Sequence, residues 1–163
     1  MLPPLGKDQR VPEIGPAPVD SDVDLHVDAP VPSPLPVLGA ISAGGALGAL
    51  ARDGLATAWP HPASGFPWST FVINVSGCLL IGVLMVLVTE VVPHRRLVRP
   101  FLGVGVLGGY TTFSTYIVDI HKAASAGAPW VALGYLASTL IAAVLAVWAG
   151  TAVTTLSVRR WSR

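Results

Sequence analysis

The sequence predicts an all-α membrane protein with four transmembrane helices. Of its 163 residues, 52% are hydrophobic and only 12% are charged, whereas about a quarter of the residues in a typical soluble domain are charged. Four apolar stretches each reach the roughly 20 residues that a helix needs to cross a bilayer. Tryptophans mark the ends of these stretches, as is typical of the aromatic belts of membrane proteins; they are Trp59, Trp68, Trp130 and Trp161.

Residues 1–35 differ from the rest of the chain. They are rich in proline and carry an acidic cluster between Asp20 and Asp28. Such a segment buries too little apolar surface to offset its conformational entropy, so we predict a disordered Pro/Asp-rich tail. It lacks the basic start and apolar core of a secretory signal. A solvated tail is favoured over a partner-binding segment.

The first predicted span covers residues 36–59. Small residues recur at helical spacing at Ala40, Gly44 and Gly48, a pattern that allows another helix to approach closely. Arg52 interrupts the apolar run near its end. Its side chain either extends to the membrane interface or faces protein and supports a pore mouth or subunit contact.

The second predicted span, residues 67–92, has no charged residue between Thr70 and Thr89. It contains Asn74, one turn after Thr70. An amide at membrane depth is unfavourable unless it has hydrogen-bond partners. Asn74 therefore either bonds to another helix or donates into a pore.

The third predicted span, residues 100–123, contains an unusual stretch from Gly108 to Tyr116. Two glycines precede a run of hydroxyl and aromatic residues: Tyr110, Thr111, Thr112, Phe113, Ser114, Thr115 and Tyr116. Broken backbone at membrane depth must be buried in protein or line a wet cavity. We predict that this helix is broken near its middle, as in membrane proteins whose broken helices bind ions. Close helix packing is the alternative for the paired glycines.

The fourth predicted span covers residues 129–156 and carries Tyr135 and Thr139 one turn apart. The transmembrane domain is therefore predicted over residues 36–158, followed by a basic tail at 159–163. In the third span, Asp119 lies three residues after Tyr116 and shares its helix face.

The distribution of basic residues predicts the orientation. Four spans place both termini on one side, together with six arginines: Arg95, Arg96, Arg99, Arg159, Arg160 and Arg163. The opposite side has only Arg52 and Lys122. The positive-inside rule then places both termini in the cytoplasm of a multi-pass plasma-membrane protein.

The chemistry at membrane depth is neutral. The four histidines, His26, His61, His94 and His121, do not pair by spacing with a nucleophile or a metal-binding partner. No phosphate-binding glycine loop or zinc motif is present in the sequence, so catalysis is not expected. Uncharged amide and hydroxyl donors suit a small anion, because a fixed cation would bind it too tightly for conduction.

These residues resemble the CrcB/Fluc family of fluoride channels over roughly residues 38–156. The resemblance depends on the glycine-rich run from Gly44 to Arg52, the Thr70-to-Asn74 motif followed by Gly77, and Tyr135. The third-span motif also carries it: Gly108, Gly109, Thr111, Thr112, Phe113, Ser114 and Thr115. It implies a passive, selective fluoride exporter, and an antiparallel, dual-topology-type dimer of four-helix subunits with two narrow fluoride pathways.

The resemblance also implies roles for individual residues. Asn74 is a pore-lining donor, and Phe113 presents its ring edge to fluoride. The backbone carbonyls of Gly108 and Thr111 hold a structural sodium ion at the dimer axis. Arg52 and Asp119 support the pore mouth or interface. The fluoride pathway is expected to comprise Thr70, Asn74, Phe113, Ser114, Thr115, Tyr116, Tyr135 and Thr139.

The sequence departs from the family pattern at three positions. Tyr116 replaces a second phenylalanine, Asp119 replaces a frequent glutamate, and Ala143 ends the hydroxyl track after Thr139. The charge bias favours one fixed orientation. We therefore expect that an antiparallel dimer could require a second, similar chain of opposite orientation.

Three alternatives remain open at this point. A small drug/proton antiporter requires a carboxylate deep in the first span, where only Asp53 is acidic. Proton-coupled fluoride exchange would use Asp119. A membrane scaffold explains the small-residue packing but leaves the polar residues of the spans unexplained.

Overall fold

The computed structural model describes residues 33–91 and 95–161, and its transmembrane segments are helical apart from residues 111 and 112. Four helical segments are long and apolar enough to cross a membrane, which confirms the predicted number of spans. They are Leu35–Ala58, Trp68–Glu90, Arg99–Ser125 and Pro129–Arg160. The predicted N-terminal tail lies, up to residue 32, outside the described residues.

The first two spans are continuous helices, α1 at Leu35–Ala58 and α2 at Trp68–Glu90. The third consists of a π-helix at Arg99–Leu107, a short α3 at Gly108–Tyr110 and α4 at Phe113–Ser125. The fourth span is α5, at Pro129–Trp161.

The last helix is longer than the sequence predicted. Arg159 and Arg160, which the sequence placed in a tail after the membrane domain, lie in the last turn of α5. Cationic side chains are favourable at a helix C-terminus, where the carbonyl ends of the peptide dipoles point outward. Long basic side chains also reach the interface from such a position.

Glycines determine how α1 packs against the third span. A Cβ atom at Gly44 would collide with the carbonyl oxygen of Phe101, and one at Gly48 with that of Val106. Conversely, a Cβ atom at Gly105 would lie 2.8 Å from the carbonyl oxygen of Ile41. The two backbones are therefore in direct contact along this first glycine seam, as the small residues of α1 predicted.

A second glycine seam joins α2 to α5. A Cβ atom at Gly82 would collide with the carbonyl oxygen of Val147, and one at Gly150 with that of Leu79. By contrast, α1 and α2 make few contacts with each other. The described part of the chain is thus built from two closely packed helix pairs, α1 with the third span and α2 with α5.

The third span is interrupted between α3 and α4. Thr111 has φ −78° and ψ 157°, and Thr112 has φ −148° and ψ 123°, so both residues are extended. The hydroxyl of Thr112 accepts a hydrogen bond from the backbone N–H of Thr115 at 3.2 Å. It therefore caps the N-terminus of α4 in the way that threonine commonly does.

Candidate functional site

Asn74 of α2 holds the extended backbone of the third span. Its Nδ2 donates to the carbonyl of Thr112 at 2.9 Å, and its Oδ1 accepts from the N–H of Thr112 at 2.9 Å. The side chain thus supplies both partners that the interrupted helix cannot provide at this residue. One amide hydrogen of Asn74 is still available for another acceptor, because a primary amide has two.

The same geometry frees two carbonyl groups from their usual helical partners. In a continuous helix, Gly108 would accept from Thr112 and Thr111 from Thr115. Thr112 donates to Asn74 instead, and Thr115 donates to the side chain of Thr112. These are the carbonyls expected to hold a sodium ion, and freed carbonyl oxygens suit an alkali cation.

Arg52 lies at this break as well. Its Nη1 is 3.4 Å from the carbonyl oxygen of Thr111, and the residue is half-buried. Of the two interpretations of Arg52 from the sequence, this contact favours a protein-facing role. At this length, the Arg52 contact is a weak hydrogen bond.

A cavity of about 400 Å³ lies beside the break, between α2, the third span and α5. Its walls combine predicted pathway residues with apolar side chains. The predicted site residues among them are Asn74, Gly108, Thr111, Phe113, Tyr116 and Thr139; Ala143 also lines the wall. The structure therefore brings together residues that the sequence spreads over three spans.

Aromatic rings form a continuous row at this site. The ring centroids of Phe113 and Tyr116 are 6.0 Å apart, and those of Tyr116 and Tyr135 are 5.1 Å apart. Phe66 meets Tyr135 edge to face at 5.3 Å. The hydroxyl of Tyr116 donates to the carbonyl of Leu136 at 2.8 Å, so it is turned to α5 and already has an acceptor.

Two buried hydroxyl groups lack a hydrogen bond of good geometry among the described residues, although the side chain of Thr70 approaches that of Tyr135. They are the hydroxyls of Tyr135, which is 0% exposed, and of Thr139, which is 5% exposed. Leaving one such group unpaired costs about 1–3 kcal/mol, so buried hydroxyls normally find a partner. The two residues lie one turn apart on one face of α5.

Asp119 of α4 is only 4% exposed. Its Oδ2 accepts a hydrogen bond from the hydroxyl of Thr70 at 2.8 Å. Its Oδ1 is 3.8 Å from Nε2 of His61, in the loop between α1 and α2. The carboxylate is therefore enclosed by protein, although its place near the end of the predicted span was equally consistent with a solvated group.

The sequence model of the family of CrcB-like proteins (camphor resistance, CrcB) matches residues 39–151. The chain belongs to this family. The family resemblance seen in the sequence is thereby confirmed, and the four membrane-length helices make this CrcB-like chain a multi-pass membrane protein.

Relatives of this CrcB-like chain are named fluoride-specific ion channels. FluC 2 of Streptomyces avermitilis is 57% identical over 105 residues, which cover 64% of this chain and 66% of that protein. FluC 2 of Nocardia farcinica is 57% identical over 115 residues, or 71% of this chain and 82% of that protein. FluC 1 of Streptomyces coelicolor is 54% identical over 113 residues, which cover 69% of this chain and 73% of that protein.

Four predicted pathway residues of this CrcB-like chain lie outside the cavity wall: Thr70, Ser114, Thr115 and Tyr135. Ser114 and Thr115 are exposed in the first turn of α4. Both approach the hydroxyl of Thr112, at 3.3 Å and 3.0 Å. In this structure they extend the hydroxyl cluster of the helix break, and Thr70 contacts Asp119 instead of the cavity.

Sequence reasoning missed His61, because loop histidines give no spacing signal for a contact with α4. It also missed the 3.0 Å contact between the hydroxyls of Ser76 and Tyr110, which connects α2 to α3. Within residues 33–91 and 95–161, no group of three or more histidine, cysteine or acidic side chains could hold a metal ion.

Proposed function

We propose that this CrcB-like chain is a fluoride-selective ion channel, which exports fluoride passively across the plasma membrane and lowers cytoplasmic fluoride. The observation that carries the proposal is the pair of buried hydroxyls of Tyr135 and Thr139, which lack a hydrogen bond of good geometry to the protein. Fluoride is small enough to follow such a narrow track and accepts hydrogen bonds strongly. The names of the relatives support the same ion.

Neutral donors explain how an anion could be stabilised and still released. Hydroxyl and amide hydrogens replace part of its hydration shell, and the absence of a formal charge keeps each site weak enough for conduction. The second amide hydrogen of Asn74 and the partially positive edge of the Phe113 ring would add to this environment.

A second subunit completes the proposed pathway. The side chain of Phe113 is 76% exposed at the cavity, where an antiparallel partner would cover it. The freed carbonyls of Gly108 and Thr111 would hold a structural sodium ion at the dimer axis, together with the same groups of the partner. The ion would neutralise the converging carbonyl dipoles of the two broken helices.

The partner could be a second, similar chain. The arginine distribution favours a single orientation with cytoplasmic termini, and an antiparallel dimer requires both orientations. Two relatives, named FluC 2 and FluC 3, come from the same Streptomyces avermitilis strain. A heterodimer in which the altered positions Tyr116 and Ala143 weaken one pathway fits these features.

The proposal is tested by fluoride efflux from liposomes that contain the purified full-length chain, followed with a fluoride electrode. We expect rapid efflux that is selective over chloride and needs no proton gradient. If the chain alone is inactive, it is reconstituted with a similar chain of reversed loop charge from the same genome. Inactivity of both preparations contradicts the proposal.

The substitution Tyr135→Phe should separate conduction from stability. It removes a buried hydroxyl whose contact with the protein is at most a poorly aligned one with Thr70, so the free energy of unfolding should change by no more than about 1 kcal/mol. Fluoride efflux should fall by about tenfold or more, since one good hydrogen bond to an ion corresponds to about 1.5–3 kcal/mol. Thermal unfolding in detergent and liposome efflux measure the two effects.

Tyr116→Phe provides the matched control. Its hydroxyl is satisfied by Leu136, so its loss should lower the free energy of unfolding by about 0.5–1.5 kcal/mol and affect efflux less. If Tyr135→Phe conducts like the original chain, its hydroxyl is not part of the pathway.

A proton-coupled fluoride antiporter is the alternative function. The observation that favours it is the buried Asp119 next to His61, since a buried acid with a titratable neighbour is typical of proton-coupled transporters. Efflux measured with and without an imposed pH gradient, at constant membrane potential, distinguishes the two mechanisms. An antiporter would be accelerated by the gradient and would move protons in proportion to fluoride.

A further inference from the structure

The loop between α1 and α2 brings a histidine to Asp119, beside the predicted pathway residue Thr70. Nε2 of His61 lies 3.8 Å from Oδ1 of Asp119, and the two side chains are 23% and 4% exposed. Thr70 binds the other carboxylate oxygen, Oδ2. Both contacts can therefore exist at the same time, and His61 need not displace Thr70 to reach the carboxylate.

We propose that His61 is a charge-compensating positioning residue at the entrance of the fluoride pathway. Its protonated imidazole neutralises Asp119, and its deprotonated form leaves the carboxylate charge uncompensated. Fluoride conduction therefore increases when this imidazole gains a proton, and histidine is the side chain that ordinarily changes charge nearest physiological pH. This inference rests on the proposed function, because it assigns the effect to fluoride passage.

The position of Asp119 makes its charge important. The carboxylate is almost completely buried, where charges interact far more strongly than in water. Its hydrogen-bond partner is the predicted pathway residue Thr70, and the phenol of Tyr135 lies close enough to interact with it electrostatically. An uncompensated negative charge at this point would repel fluoride from Tyr135 and Thr139.

The other elements packed around Asp119 offer few alternative charges. From α5 the titratable neighbour is Tyr135, and α2 presents the neutral Thr70. On α4 itself, Tyr116 donates to Leu136, while His121 and Lys122 are exposed. Among the described residues, His61 is the basic side chain within salt-bridge distance of the carboxylate.

The test measures fluoride efflux from liposomes with the same pH inside and outside, from pH 8 to pH 5. Equal pH on both faces removes any proton gradient. Protein-free liposomes at each pH correct for hydrogen fluoride that crosses the bilayer directly. We expect efflux through the original chain to rise by at least about tenfold at low pH, as expected for compensation of one poorly screened charge.

Three variants define the mechanism. His61→Asn should be slow at every pH, because it supplies no charge, whereas His61→Arg should be fast at every pH. Asp119→Asn should conduct without dependence on His61, since no charge is left to compensate. His121→Asn is the matched control: this histidine is exposed two residues from Asp119, and its loss should leave the pH profile unchanged.

The outcomes separate this inference from the proposed function. Fluoride efflux with a pH profile that His61→Asn does not alter overturns the role of His61 and leaves the channel function intact. A pH profile that disappears equally in His121→Asn also overturns it. Absence of fluoride efflux at every pH, with the chain alone and with its similar partner, overturns both. Size-exclusion chromatography in detergent confirms that each variant is folded.

Discussion

Alanine at Gly48 is expected to destabilise the chain by about 3 kcal/mol or more, the upper end of the effect of overpacking a well-packed core. A Cβ atom at this position would collide with the carbonyl oxygen of Val106 and lie 2.8 Å from the backbone nitrogen of Tyr110. Backbone atoms cannot rotate away as a flexible side chain can. We therefore expect little folded protein, and fluoride efflux should be lost with it.

Gly54→Ala is the matched control on the same helix. A Cβ atom at Gly54 meets no other atom within 4 Å, and alanine favours a helix by up to about 1 kcal/mol over glycine. Thermal unfolding of both variants, followed by size-exclusion chromatography in detergent, measures the difference. Equal stability of the two alanine variants would show that the first glycine seam does not require direct backbone contact.

Asn74→Ala is expected to remove both conduction and a large part of the stability. It leaves the N–H and the carbonyl of Thr112 without their side-chain partners. The loss of two such groups costs about 2–6 kcal/mol, at about 1–3 kcal/mol for each unsatisfied buried group. The break in the third span would then rearrange, and fluoride efflux should fall to the background of protein-free liposomes.

Ser76→Ala is the control for Asn74→Ala. Ser76 lies two residues further along α2 and contacts the hydroxyl of Tyr110, but it supports no extended backbone. Its loss should lower stability by about 0.5–1.5 kcal/mol and preserve efflux. The comparison with Tyr135→Phe is informative too, because in that variant fluoride efflux should fall while the free energy of unfolding hardly changes. If Asn74→Ala unfolds at the same temperature as the original chain, Asn74 does not hold the break.

The sequence was sufficient to predict the spans and several residues of the cavity. Hydropathy over about 20 residues directly reflects the thickness of the bilayer, so the number of spans followed from composition. The glycines of α1 predicted close packing, because few other features explain small residues at helical spacing. The polar residues Asn74 and Thr139 were recognisable because polar groups at membrane depth are unfavourable without a purpose.

Contacts between distant residues could not be predicted in the same way. The sequence left open whether Asn74 bonds to another helix or faces a pore, and its two bonds to Thr112 depend on how α2 lies against the third span. The contact between His61 and Asp119 depends on the path of a loop. The π-helix at Arg99–Leu107 has no recognised composition signal, and the extension of α5 over Arg159 depends on where the helix ends in three dimensions.

The two glycine seams also determine the order in which the subunit can assemble during synthesis. Because α1 pairs with the third span and α2 with α5, the first two helices enter the membrane without their final neighbours. The first pair can close only after the third span leaves the translocation machinery, and the second only after the fourth.

Cross-linking of ribosome-bound chains of increasing length should therefore detect contacts of α1 with the third span before contacts of α2 with α5. An early, lasting contact between α1 and α2 would contradict this order. For an interval of translation, α2 therefore lies in the membrane without α5, the helix against which its glycine surface packs in the folded chain.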